Sequence, residues 1–129
     1  MKRTCIAMAL ALLLTGCGAT VQQPEGGYRQ IGMSEAIAIM EEETDYILLD
    51  VRTEEEFASG HIPGAINIPN EDIGTADIAQ LPNKDQMILV YCRSGNRSKE
   101  ASQKLADLGY TNVLEFGGIR GWPGEPVTE

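Results

Sequence analysis

The sequence predicts an α/β fold, with a central, mainly parallel five-stranded sheet and helices on both faces. Two observations carry that expectation. Strand-like and helix-like segments alternate between residues 28 and 115, the order that builds parallel sheets. Two of the strand candidates, Tyr46-Ile47-Leu48-Leu49-Asp50-Val51 and Met87-Ile88-Leu89-Val90-Tyr91, are nearly continuous apolar runs. Strands covered on both faces read this way, whereas half-exposed strands alternate.

Residues 28–31 form a short strand candidate. Residues 34–43 read as a helix, with Ser34 near its start and Ala36, Ile37 and Met40 on one face. The run 46–51 follows as the second strand. Thr53-Glu54-Glu55-Glu56 has the form of a capping box and opens a short helix that ends near Ser59. Ala65-Ile66-Asn67-Ile68 is a third strand, stopped by Pro69. Residues 71–80 are weakly helical. Residues 87–91 make the fourth strand and 97–108 the third main helix, with Gly109 as its natural stop. Asn112-Val113-Leu114-Glu115 is the fifth strand.

The segment Cys92-Arg93-Ser94-Gly95-Asn96-Arg97-Ser98 lies between a buried strand and a helix start. Free amides and the helix dipole favour negative charge at such a place. Arg93 and Arg97 add two cationic side chains. A thiol held there loses its proton easily and becomes the reactive thiolate. In parallel sheets ligands bind beyond the carboxyl ends of the strands, where Cys92 falls.

The first residues carry a different message. Met1-Lys2-Arg3 is basic, and about eleven mostly apolar residues follow, 4–14. That run is short of the ~20 residues that span a bilayer and has the size and flanks of a secretory signal peptide. Leu14-Thr15-Gly16-Cys17 resembles the lipobox of bacterial lipoproteins. The resemblance implies a signal peptide over 1–16, cleavage before Cys17, lipid on the Cys17 sulfur and an envelope location facing outside the cytoplasm. With Gly18 after the cysteine, it further implies the outer membrane if the host is Gram-negative. Residues 17–29 have the composition of a flexible tether, reaching roughly 20 Å, and residues 30–129 are the expected folded domain.

The chain has 10 basic and 19 acidic residues, a net charge of −9. Loss of Lys2 and Arg3 with the signal peptide leaves 8 basic residues against 19 acidic ones, a net charge of −11. Such a balance argues against nucleic acid as a partner and makes the loop at Cys92 a local basic exception. Of the three cysteines, Cys5 departs with the leader and Cys17 takes lipid. Cys92 is then the one thiol of the mature protein, with no disulfide open to it. One histidine and one available cysteine make a metal site unexpected, and no cofactor is implied.

Four segments resemble those of the single-domain rhodaneses, members of the sulfurtransferase homology family, across residues 31–122. They are Leu49-Asp50-Val51-Arg52 with Glu56-Phe57, then residues 60–69 (Gly-His-Ile-Pro-Gly-Ala-Ile-Asn-Ile-Pro), then residues 91–98, then Gly117-Gly118-Ile119-Arg120-Gly121-Trp122. The resemblance implies a sulfurtransferase that takes sulfane sulfur from a small anionic donor such as thiosulfate onto Cys92. The Cys92 persulfide then passes it to cyanide, a thiol or a protein acceptor. It further implies that amides 93–98 ring the sulfur, that Arg93 and Arg97 bind the anion, and that Ser94 and Ser98 add hydroxyl hydrogen bonds. The resemblance implies as well that Gly95 supplies a backbone conformation closed to other residues and that Asn96 completes the substrate-binding loop.

Other readings are open. A phosphatase or arsenate reductase relative would carry Cys-x5-Arg, but residue 98 is Ser and Arg97 comes one place early. A non-catalytic binding or sulfur-sensing module would not need Cys92. His61 reads as a structural residue holding its turn. Asp50 and Arg52 read as structural, with Arg52 paired to Glu56. Trp122 is expected to pack the C-terminal segment against the core.

Overall fold

The computed structural model describes residue 24 and residues 26–129. The leader, Cys5 and the lipidation candidate Cys17 lie outside the described residues. Five strands form one all-parallel sheet: β1 (Arg29–Gln30), β2 (Tyr46–Asp50), β3 (Ile66–Asn67), β4 (Met87–Cys92) and β5 (Val113–Gly118), in the order β1-β5-β4-β2-β3. The helices are α1 (Met33–Glu42), α2 (Glu54–Ser59) and α3 (Asn96–Asp107). The α/β expectation is met, and the sheet is wholly parallel.

Alternation along β4 sorts the core into two layers. Ile88, Val90 and Cys92 face one side, packed with Leu49, Val51, Ala101, Leu105 and Val113 under α3. Leu89 and Tyr91 face the other, packed with Leu48, Leu114, Phe116 and Ala36 of α1. Both faces of the central strands are therefore dry, which accounts for their unbroken apolar sequence. Cys92 ends β4 on the α3 face.

The capping box at α2 is complete: Thr53 Oγ1 accepts from the Glu56 amide at 3.2 Å, and Glu56 Oε1 accepts from the Thr53 amide at 3.2 Å. This pair satisfies two amides that a helix start leaves open.

Residues 71–80 differ from expectation. Only a 3₁₀ turn, Asn70–Asp72, forms there. The rest is an irregular strap, held by Ile73 and Leu81 in the core and by Tyr110 Oη donating to the Leu81 carbonyl at 2.6 Å. Gly74 and Pro82 leave too short a stretch for a stable helix. Residues before 30 also make contacts with the domain. Tyr28 packs on the core, Arg29 is already in β1, and Gln103 Nε2 donates to the Gly26 carbonyl at 3.0 Å.

β5 runs on through Phe116, Gly117 and Gly118, beyond the expected end at Glu115. Its register slips against β4: Val90 pairs with Glu115, whereas Cys92 pairs with Gly118. One extra β5 residue is absorbed there, and Gly117 takes φ +97°. Gly118 meets the loop directly, because a Cβ on it would overlap the carbonyl of Arg93. The paired glycines let the strand carrying Cys92 turn into its loop in contact with β5.

Candidate active site

Cys92 is 1% exposed, at the floor of the β4–α3 turn. Gly95 turns the chain with φ +117°, a left-handed conformation that favours glycine. Its amide donates to Cys92 Sγ at 3.0 Å, and Ser98 Oγ lies 3.4 Å from the same sulfur. Burial pushes the thiol up. Its hydrogen bonds with the Ser98 hydroxyl and with the amides of Ser98, Gly95 and Ser94 outweigh it, so the thiol lies below its ordinary value. Of the amides 93–98 expected around the sulfur, those of Ser94, Gly95 and Ser98 act on it, and Gly95 and Ser98 are buried.

The two loop arginines diverge. Arg93 is exposed and lines an open cleft with Met33, Ser94, Phe116 and Arg120. Arg97 turns away into a bidentate pair with Glu56, Nη1 to Oε1 at 2.6 Å and Nη2 to Oε2 at 3.0 Å. The hydrogen bond from Arg97 is the main cause that brings the Glu56 carboxyl down to about 2. Arg97 therefore reaches the sulfur as charge at a distance, with its hydrogen-bonding fork occupied. Asn96, exposed at the first turn of α3, stands on the solvent side of the loop.

The pairing expected for Arg52 is corrected. Its partner is Asp50, not Glu56: Arg52 Nη2 donates to Asp50 Oδ2 at 2.7 Å and to the Gly60 carbonyl at 2.7 Å, and Nε donates to both Asp50 oxygens at 3.0 Å. Two positions along an extended chain bring these side chains together below Tyr91, and Glu56 is already held by Arg97. His61 is structural, as expected. It is 2% exposed, stacked on Phe57 with centroids 3.7 Å apart, with Nδ1 on the Phe57 carbonyl at 2.9 Å. Its backbone bonds Val127 in both directions at 2.8 Å, which fastens the C-terminal segment. Trp122 packs on the α1-side core.

Sequence reasoning missed three contributors. Glu56 was expected to cap α2 and to pair with Arg52, and its two-pronged pair with Arg97 was not foreseen. Arg120 was read only as part of a motif, yet it shares the cleft with Arg93, and its amide donates to the Arg93 carbonyl at 3.3 Å. Glu115 is 2% exposed, and its Oε1 accepts from Ser98 Oγ at 2.6 Å and from the Gly117 amide at 2.8 Å. A carboxylate inside an otherwise apolar strand was the available signal.

A buried thiol under a ring of amides, with arginines at its mouth, can hold a sulfur anion and a second sulfur attached to it. The chain is similar to known proteins in sequence and in fold. A family model described as "Rhodanese-like domain" matches residues 33–125. The thiosulfate sulfurtransferase PspE of Escherichia coli is 36% identical over 72 residues, covering 56% of this chain and 69% of that protein. The adenylyltransferase and sulfurtransferase UBA4 of Meyerozyma guilliermondii is 42% identical over 90 residues, which cover 64% of this chain but 21% of that longer protein. Among solved structures, a "rhodanese with anions from E. coli" superposes with a TM-score of 0.59 at 34% identity, covering 65% of this chain and 99% of that one.

Proposed function

This chain belongs to the rhodanese-like domain family, and from that premise we propose that it moves a sulfane sulfur from a donor such as thiosulfate to a thiophilic acceptor through a persulfide on Cys92. Sulfurtransferase is the family activity that its relatives' names carry. The observation that supports the finer reading is the sulfur of Cys92 itself, buried and bonded by the Gly95 amide at 3.0 Å. The chemistry has two steps. The Cys92 thiolate attacks the outer sulfur of thiosulfate, the S–S bond of the donor breaks, and sulfite leaves with the bonding pair. Cyanide or a thiolate then attacks the outer sulfur of the persulfide, and the Cys92 thiolate departs. Amides around the loop hold the negative sulfur in both states.

The loop size favours sulfur over phosphate. Arg97 follows Cys92 one place too early for a Cys-x5-Arg cradle, and its guanidinium is committed to Glu56. Residues 93–98 are the proposed substrate-binding loop, with Arg93 as its free-standing cation. The proposal places the protein at the cell envelope through lipid on Cys17, on the strength of Leu14-Thr15-Gly16-Cys17 alone. Labelled palmitate should enter the wild-type chain and not Cys17→Ala.

Steady-state kinetics test the transfer. Thiocyanate formation from thiosulfate and cyanide should show parallel, ping-pong double-reciprocal lines and vanish in Cys92→Ser. Retained turnover in that variant would remove Cys92 from the mechanism.

A further inference from the structure

Glu115 is a buried carboxylate to which the sulfur-transfer steps above give no task. Its Oε1 accepts from the Gly117 amide at 2.8 Å. Its Oε1 is 2.6 Å from Ser98 Oγ, and Ser98 Oγ is 3.4 Å from Cys92 Sγ. All three residues are at most 2% exposed.

The hydroxyl of Ser98 has one hydrogen to give. Three acceptors stand within its reach: Glu115 Oε1, the Gly95 carbonyl at 2.9 Å and the Gly117 carbonyl at 3.3 Å. The carboxylate is the nearest and the only charged one, so it takes the hydrogen. The Ser98 oxygen then offers lone pairs to Cys92. It accepts the S–H of a thiol and has nothing to donate to a thiolate. Ser98 donates to the sulfur only when Glu115 carries a proton of its own and gives it back to Ser98.

We propose that Glu115 is the proton acceptor for Cys92, acting through Ser98, so that thiol and carboxyl share one proton. The S–H bond of Cys92 breaks as a new Oγ–H bond forms on Ser98. The original Oγ–H bond breaks as an Oε1–H bond forms on Glu115. No electrons change hands, and the net charge of the three groups stays at one negative. The product is a thiolate held by the Ser98 hydroxyl and the Gly95 amide, beside a neutral carboxyl. Glu115 is thus a positioning residue: it never touches the substrate and sets which way Ser98 points. The proposal concerns how the nucleophile forms and rests on the sulfurtransferase reading only for what that nucleophile attacks.

The neighbouring charges leave the window clear. Arg97, whose field reaches Cys92, is paired with Glu56, and the Glu56 carboxyl is held near 2. Tyr28, pushed up by burial first and by the charge of Glu115 second, titrates above 10.

The test is the rate at which iodoacetamide alkylates Cys92 between about pH 5 and pH 9, read on the Cys92 peptide by mass spectrometry in the full chain. A shared proton gives a thiolate population that does not change with pH between the two ionisations of the pair. The wild-type rate should therefore show a plateau. In Glu115→Gln and in Ser98→Ala the plateau should be replaced by a single rise approaching tenfold per pH unit up to one midpoint. A variant profile of wild-type shape, scaled by a constant, would assign Glu115 a purely structural role and overturn the proposal. A single tenfold-per-unit rise in the wild type would overturn it as well. If Glu115→Gln does not fold, Ser98→Ala, which removes one oxygen, carries the comparison. Alkylation needs no sulfur donor, so failure of the sulfurtransferase reading would leave these profiles untouched.

Discussion

Arg97 and Glu56, 41 positions apart, form a two-pronged ion pair that ties the start of α3 to the start of α2. One carboxylate thus serves three donors: the Thr53 amide, the Thr53 hydroxyl and the Arg97 guanidinium. The pair divides the labour of the two loop arginines. Arg97 holds the loop in place, and Arg93 is left to meet an anion.

Glu56→Gln should therefore cost stability in a pH-dependent way. The carboxyl is lowered from 4.5 to about 2, so its contribution is complete above 4.5 and is lost as pH falls from 4.5 toward 2. Both side chains are about one-third exposed, and screening by solvent reduces the contribution to roughly 1–2 kcal/mol. Urea unfolding at pH 7 should show that gap between wild type and variant, and the gap should close toward pH 2. A gap independent of pH would contradict the pairing.

Arg93→Ala should weaken the use of thiosulfate more than that of a neutral persulfide donor. Loss of one charge-assisted hydrogen bond is worth about 1.5–3 kcal/mol, or roughly a ten- to hundredfold rise in KM. Donor kinetics measure it, and equal losses for both donors would contradict the assignment. Arg97→Ala should instead lower the unfolding midpoint, as Glu56→Gln does.

Gly118→Ala should damage the site without touching the cysteine. Its Cβ would overlap the Arg93 carbonyl, so either β5 or the loop must shift. A loss of about 2–4 kcal/mol is expected from overpacking of this kind, together with slower alkylation of Cys92. Thermal unfolding and alkylation rates check both, and a variant as stable and reactive as wild type would show the loop is not held by β5.

Arg52→Ala leaves Asp50 buried without its cation, at 0% exposure. Breaking such a pair costs about 3–5 kcal/mol, a large share of a small domain's stability. Arg52→Met, a variant at the same position, tests whether packing can substitute for charge. Denaturant midpoints should rank wild type above Met and Met above Ala, and equal midpoints would refute a buried pair.

The sheet was legible because its signals are local. Residues 46–51 and 87–91 show two-sided burial in their own composition, and Thr53-Glu54-Glu55-Glu56 carries its cap within four residues. Cys92 and its loop were legible for the same reason. The missed parts are decided by packing between segments. Glu56 was assigned to the nearby Arg52 because its true partner, Arg97, is 41 residues away. Arg52 could reach a carboxylate on either side, and only the packing beneath Tyr91 decides for Asp50. Residues 71–80 are apolar enough to anchor but too broken by Gly74 and Pro82 to coil. Glu115 needed the slipped register between β4 and β5 before it could be placed under Ser98.

The central claim is that Cys92 carries the transferred sulfur, and intact-mass spectrometry tests it most directly. After incubation with thiosulfate and removal of excess donor, the wild-type chain should gain about 32 Da, one sulfur atom, and lose it again on addition of cyanide. Cys92→Ser should gain nothing under the same treatment. An unchanged wild-type mass, or the same gain in Cys92→Ser, would contradict the account.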